Sequence, residues 1–395
     1  MAMSIQQPVR AAQSSWLGES DFDLDDFRAQ VERDTDLADY PHADDVRSNV
    51  LVYDAVAMAQ VSDRRVLQAE LIRALADGPG VVVLAGAFDA DVVDRASEAF
   101  FAIIEAQRAG GLAVGDHFGK PGANDRIWNA AQKLALHDPA VFADYYANDA
   151  LAVVCQAWLG PRYQVTSQVN VVNPGGKAQV PHRDYHLGFV PEEHLARYPA
   201  HIHRTSPTLT LQGAVAHCDM PVESGPTMLL PHSQRFTGGY IAFNRPEFIE
   251  YFADHHVQLP LSKGDAIFFN PALYHGAGSN VSTGSSAIRR IANLLQISSP
   301  FGRAMEAMDR TAMVRAVYPS LLAMQTAGRP HREVENVVVA TAEGYPFPTN
   351  LDSDQPLGSL VPPSQVDTVL DALAKNFTEE DLDIALRDQN ERRMP

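Results

Sequence analysis

A chain of 395 residues with 46% hydrophobic content can bury a sizeable core, and its length accommodates one large domain or two ordinary ones. Its formal net charge of -18 sits mostly at the ends: residues 1–60 hold 12 Asp/Glu against 4 Lys/Arg, and residues 341–395 hold 11 against 4. An acidic surface repels phosphate backbones and anionic lipid, which argues against nucleic-acid and membrane partners; with no long apolar run and no secretory leader, the chain reads as cytoplasmic.

The elements follow in chain order. Residues 1–60 read as an acidic arm or accessory layer whose one helical hint is DFDLDDFRAQVERD. SDRRVLQAELIRAL then predicts a helix with Val66, Leu71, Ile72 and Leu75 as its apolar positions, stopped by Gly78-Pro79-Gly80. GVVVLAGAF predicts a buried strand, and DADVVDRASEAFFAIIEAQ a helix ending at Gly110-Gly111. Residues 139–160 predict another helix or helix pair, with Cys155 inside it; Cys155 and Cys218 are too few for a disulfide framework and read as small buried side chains.

After Gly160 the chain turns β-rich. YQVTSQVNVV, LTLQGAVA, TMLLP, DAIFF and RIANLLQI are short apolar segments separated by Gly, Pro, Asn and His, a spacing that suits an antiparallel sandwich or barrel. Residues 301–340 return to helical character. A Pro-rich segment from residue 341 leads to two amphipathic helices with Val369, Leu370, Leu373, Phe377, Leu382 and Ile384 on their apolar faces, the last capped by Thr378 with Asp381. Those faces can pack on their own domain or on a second subunit, so a homodimer is possible. Residues 61–340 are expected to form the principal domain, with a β core at about 160–300.

One stretch concentrates chemistry. In PHRDYH, His182, Asp184 and His186 occupy alternate positions and would share one face if the segment is a strand. A mononuclear iron(II) centre that activates oxygen needs three protein ligands on one face of an octahedron, commonly two histidines and a carboxylate. His182 and Asp184 fit two of those roles, and His275, between the apolar strand at 265–269 and a Gly-rich turn, can supply the third. Fourteen residues later Arg289 and Arg290 open a strongly apolar strand, a costly position for arginine unless it binds an anion such as a dicarboxylate co-substrate. A lone H-x-D, loop histidine or arginine pair has ordinary explanations; their order within the β-rich half is what points to a metal site. His201, His203, His255 and His256 sit in polar stretches and read as surface residues.

The region from about Gly78 to Ser299 resembles the phytanoyl-CoA dioxygenase family of iron(II)/2-oxoglutarate oxygenases. DGPGVVVLAGAFDADVVDRASEAF looks like its opening strand and helix, QVNVVNPGGKAQVPHRDYHLGF its H-x-D strand, SGPTMLLPHSQ its small-residue turn, and KGDAIFFNPALYHGAGSN its distal histidine segment. The resemblance implies a double-stranded β-helix (jelly-roll, cupin-like) core with flanking α-helices, within an α+β, mostly β chain with helical N- and C-terminal extensions. It implies iron(II), 2-oxoglutarate and O2 as cofactors and co-substrates, and His182, Asp184 and His275 as the metal ligands. Arg289 would hold the far carboxylate of 2-oxoglutarate, with Arg290 its rival because strand register leaves one residue open. Asn170 and Gln168 match positions that touch the co-substrate. His186 falls in the family's D-x-H pattern; as a fourth ligand would take a position the chemistry needs, it reads as a neighbour of the substrate, with Arg183 and Tyr185. Ala277 stands where the family often has Ser, and the interval from His275 to Arg289 is a few residues longer than usual.

The expected outcome is hydroxylation of an unactivated C–H bond in a small-molecule metabolite, with release of succinate and CO2. The carboxylate of Asp184 argues against halogenation, which in relatives needs a small residue there. Two alternatives stay open: a metal-binding β-sandwich sensor or cupin-like protein without oxygenase turnover, and a protein or peptide hydroxylase.

Overall fold

The computed structural model describes residues 15–18, 22–111 and 124–395, so residues 1–14 and 19–21 of the acidic N-terminal stretch lie outside the described residues. Strands fall, in chain order, at β1 Asp45–Arg47, β2 Val50–Asp54, β3 Val81–Ala85, β4 Asn124–Ile127, β5 Gln164–Val172, β6 Thr210–Ala216, β7 Met228–Leu230, β8 Ala266–Phe269, β9 Tyr274–Gly276 and β10 Arg290–Ser298. Eight of them form one sheet in the order β1-β2-β3-β8-β6-β10-β5-β4, antiparallel except where β2 lies beside β3. β7 and β9 form the opposing sheet, which isolated bridges widen at His182 with His275, Leu229 with Val257, and Met220 with Leu261. Two facing sheets with helices outside make this a double-stranded β-helix within a mixed α/β chain.

Period-two alternation divides the large sheet into two functions. Its outer face, including Val165, Val169 and Val171 of β5 and Ile291, Leu295 and Ile297 of β10, is buried under helices at Ala90–Ala109, Ala130–His137, Pro139–Tyr146 and Arg310–Thr326. Each such side chain taken from water contributes about 1.5–3 kcal/mol. The inner face meets the small sheet through Ala214, Ala216, Ile267, Phe269 and Ala292 against Leu229, Leu259 and Leu273. The small sheet's far side carries a third cluster, in which Phe27 packs with Phe236, Phe248, Tyr251 and Tyr274.

Residues 45–54, within the acidic stretch, supply β1 and β2, and Val50 and Val52 reach the inner core. The apolar run VLVY was the available signal. The helix expected after Ser62 spans Arg64–Ala76, with a different buried face: Leu67, Glu70, Leu71, Ala74 and Leu75 are covered, while Val66 and Ile72 are 51% and 42% exposed. Glu70 can be buried because its carboxylate accepts from the His42 backbone N–H, the His42 ring and the Tyr53 hydroxyl.

The two C-terminal helices, Gln365–Ala374 and Glu379–Arg393, bury Val369, Leu373 and Leu382 against Arg310–Thr326 and His331–Thr341, while Ile384 stays 45% exposed. Thr378 and Asp381 form the expected capping box. Among the described residues no helix is long and apolar enough to cross a membrane.

Candidate metal centre

Reciprocal backbone hydrogen bonds, His182 N–H to His275 carbonyl at 2.9 Å and His275 N–H to His182 carbonyl at 3.2 Å, lay the H-x-D segment against β9. Alternation then sends His182, Asp184 and His275 inward. Their ligand-capable atoms all lie within 4.8 Å of one another; His182 Nε2 is 3.8 Å from Asp184 Oδ1 and His275 Nε2 is 3.4 Å from Asp184 Oδ2.

The imidazoles are oriented from behind. His182 Nδ1 lies 3.0 Å from the Val180 carbonyl and His275 Nδ1 lies 2.8 Å from the Leu273 carbonyl. A carbonyl only accepts, so each ring keeps its proton on Nδ1 and turns the Nε2 lone pair toward Asp184. Burial, and then the nearness of His275, hold His182 below its ordinary pKa and favour the neutral ring a metal requires. Burial pushes the Asp184 carboxyl up, but the two imidazoles beside it and the Gln212 Nε2 donor at 2.5 Å outweigh it, so the group stays ionised. Two imidazole Nε2 atoms and one carboxylate fit a ferrous ion, with half of an octahedron left over.

His186 does not join them. Tyr185 has φ +64° and ψ 146° and His186 φ +41°, so the strand breaks immediately after Asp184 and His186 opens a 3-10 turn through Phe189. Such conformations cost non-glycine residues about 1–3 kcal/mol each and persist only where surrounding structure imposes them. Here Asp184 N–H is held by the Pro271 carbonyl at 3.2 Å, and the Asp184 carbonyl by the Tyr240 hydroxyl at 3.4 Å. The break leaves Tyr185 2% exposed, and among the described residues neither its hydroxyl nor the His186 Nδ1 has a hydrogen-bond partner. Arg183, expected beside the substrate, points the other way into the aromatic layer behind the small sheet. A residue flanked by two inward side chains on a strand must face outward.

The two candidate arginines part company in the same manner. Arg289 sits on the outer face, 43% exposed along its side chain, paired with Asp125 Oδ2 at 2.8 Å and lying over Phe101. Arg290, across from Val172 on β5, is 6% exposed and faces the inner layer, and among the described residues its Nη1 has no partner. Burial pushes its pKa down to about 10, which leaves a desolvated cation at neutral pH. Ala214, Ala216 and Ala292 lie on the same inner face, along the strands from Arg290 toward Gln212, which bonds Asp184. Asn170, opposite Ala292, has an Oδ1 without a partner among the described residues; Gln168 is already engaged, accepting from Arg126 Nη2 at 2.6 Å and donating to Met305 Sδ at 3.3 Å.

Other residues escaped the sequence reading. Gln212 was visible only as a lone polar residue in LTLQGAVA, and Arg126 and Glu306 come from segments without a pattern. The Glu306 carboxyl, raised by burial, accepts from Asn129 N–H at 2.6 Å while its Oε2 lacks a partner. Of the histidines read as surface residues, His203 is 2% exposed and bonds the Leu195 carbonyl through Nε2; His201 and His255 are exposed and His256 is half-buried. His203 is covered because the polar 191–206 segment folds back under Tyr240.

The family profile described as phytanoyl-CoA dioxygenase (PhyH) matches residues 76–291. Among solved structures, the non-heme alpha ketoglutarate dependent epimerase SnoN from nogalamycin biosynthesis is 19% identical, covering 60% of this chain and 85% of that one with a TM-score of 0.41. AviO1 from Streptomyces viridochromogenes Tue57 is 19% identical over 61% of this chain and 98% of its own, with a TM-score of 0.43. The apoform of EctD from S. alaskensis is 20% identical over 62% and 79%, also at 0.43. Likeness at this level is too loose to transfer a substrate or a reaction. No curated protein matches the chain.

Proposed function

Because this chain belongs to the phytanoyl-CoA dioxygenase family of Fe(II)/2-oxoglutarate-dependent oxygenases, we propose that it hydroxylates an unactivated C–H bond of a small-molecule metabolite, using His182, Asp184 and His275 as iron ligands and Arg290 as the anchor for 2-oxoglutarate. The observation that carries this reading is the convergence of two Nε2 lone pairs and one carboxylate on the same inner layer as a buried guanidinium whose Nη1 has no partner among the described residues. An uncompensated cation in that position is costly, and a dicarboxylate supplies both the charge and a planar acceptor for it. The exposed Arg289 already has Asp125 and is not our choice.

When bound, iron with 2-oxoglutarate and dioxygen supplies the oxidising power for the C–H bond and releases succinate and CO2. The chain's own residues do the rest. The Val180 and Leu273 carbonyls fix the two imidazoles, Gln212 fixes the carboxylate, and the alanine-lined inner face admits the co-substrate. Asn170, opposite Ala292 on the same inner face as Arg290, is our candidate for an amide contact to the co-substrate. The partnerless hydroxyl of Tyr185 and the ring of His186, turned aside at the strand break, are our candidates for substrate contacts. The free thiols of Cys155 and Cys218 support a reducing, cytoplasmic setting.

Anaerobic addition of iron(II) and 2-oxoglutarate should produce a visible metal-to-ligand charge-transfer band, and His182→Ala or His275→Ala should abolish both the band and succinate release. Metal binding without a band in the wild-type protein would favour the sensor reading. A succinate-release screen in which a peptide, and no small metabolite, stimulates turnover would favour the protein hydroxylase.

A further inference from the structure

We infer that Arg183 is a positioning residue of the metal centre: its buried guanidinium, stacked on Tyr274 and bonded to the 233–236 turn, holds the His182–Asp184 segment at ligating distance from His275. The inference rests on the reading of those three side chains as iron ligands.

Arg183 sits between two inward ligands and so projects outward, onto the same side of the small sheet as Tyr274, the residue preceding His275. It is 2% exposed. Its guanidinium carbon lies 5.1 Å from the ring centroid of Tyr274 and 5.1 Å from that of Tyr240, and Nη2 donates to the Ser233 carbonyl at 2.6 Å and the Phe236 carbonyl at 2.9 Å. The same turn holds the other ligand strand. Tyr274 N–H donates to Ser233 Oγ at 2.8 Å, and the Tyr274 hydroxyl to the Gly239 carbonyl at 3.1 Å. The Tyr240 hydroxyl reaches the Asp184 carbonyl. One side chain thus ties both ligand-bearing segments to a common support.

The surroundings are shaped for this group. A Cβ at Gly239 would lie 1.9 Å from the guanidinium carbon, and one at Gly188 would lie 2.0 Å from the Arg183 carbonyl oxygen. Among the described residues Arg183 has no carboxylate partner; two ring faces and two carbonyls meet its charge. An apolar side chain would fill the layer without the desolvation cost of a cation. It would not supply directional bonds to two carbonyls of the turn that also holds Tyr274.

The test is anaerobic titration of the apo protein with ferrous iron alone, read by competition with a chelator, alongside thermal melting. Loss of an outer partner of a metal site weakens affinity by about 10–100-fold, and Arg183→Met should fall in that range. Arg183→Lys, which keeps the charge but not the planar fork, should lose less. Tyr274→Phe keeps the ring and should stay within about threefold. Arg183→Met combined with Tyr274→Leu should bind no more weakly than the worse single variant, because both break one support. If Arg183→Met and Arg183→Lys melt lower but bind iron within twofold of wild type, Arg183 is only a packing residue and the inference is overturned. Should Arg183→Met fail to fold, Arg183→Lys and Tyr274→Leu decide by the same criteria. If His182→Ala binds iron as tightly as wild type, the metal reading fails first and takes this inference with it.

Discussion

At the scale of single residues, the choice between Arg289 and Arg290 shows how one step along a strand changes chemistry. Their side chains leave opposite faces of the same sheet, one onto Asp125 and Phe101, the other into the alanine-lined inner layer. Removing a buried charge that holds a carboxylate costs about 2–5 kcal/mol, so Arg290→Met should weaken 2-oxoglutarate binding by roughly 30-fold or more. The half-exposed pair at Arg289 is worth at most about 1 kcal/mol, and Arg289→Met should shift that affinity by less than about fivefold. The measurement is the charge-transfer band against 2-oxoglutarate concentration in each variant with iron held constant. Equal losses would mean the register argument has failed. PHRDYH makes the same point on a smaller span: two alternate positions converge as a strand requires, and positive φ at Tyr185 and His186 removes the third.

Between elements, the large sheet and its helices are joined by polar groups as well as apolar ones. His217, immediately after β6, accepts or donates through both ring nitrogens, to Ser97 Oγ at 2.8 Å and to the Tyr145 hydroxyl at 2.9 Å, and Asn293 of β10 donates to the same hydroxyl at 3.2 Å. Burial pushes the His217 pKa down to about 3. The folded protein therefore cannot protonate this ring at pH 5, while the unfolded chain does so below about 6.5. Stability is fully present above the unfolded pKa and falls by about 1.4 kcal/mol per pH unit as pH drops from about 6.5 toward 3. Melting between pH 7 and pH 5 should show a loss of about 2 kcal/mol from this group, and His217→Gln should flatten that part of the profile while lowering stability at pH 7. An unchanged slope in the variant would assign the acid sensitivity elsewhere.

For the whole molecule, the helices at Gln365–Ala374 and Glu379–Arg393 close the core on the side of the large sheet away from the metal centre. Leu373 is 3% exposed there, and Leu373→Ala should destabilise the protein by about 2–5 kcal/mol in denaturant unfolding while leaving ferrous affinity unchanged. A parallel loss of metal binding would mean the layers are coupled more tightly than their separate clusters imply. The capping box of Thr378 with Asp381, the helix ending at Gly110-Gly111, and the strands around Val165 and Leu295 were legible because period, caps and turn residues are local signals. β1, β2 and β9 were not, since three to five residues carry too little period to separate a strand from a loop. The three side chains that converge were written in the sequence as H-x-D and a later histidine between an apolar strand and a Gly-rich turn. Tertiary structure alone decided which arginine faces inward, that Arg183 turns its back on the centre, and that Glu70 and His203 are buried. Those outcomes depend on strand register and on partners far away in the chain, and a linear pattern of residue types specifies neither.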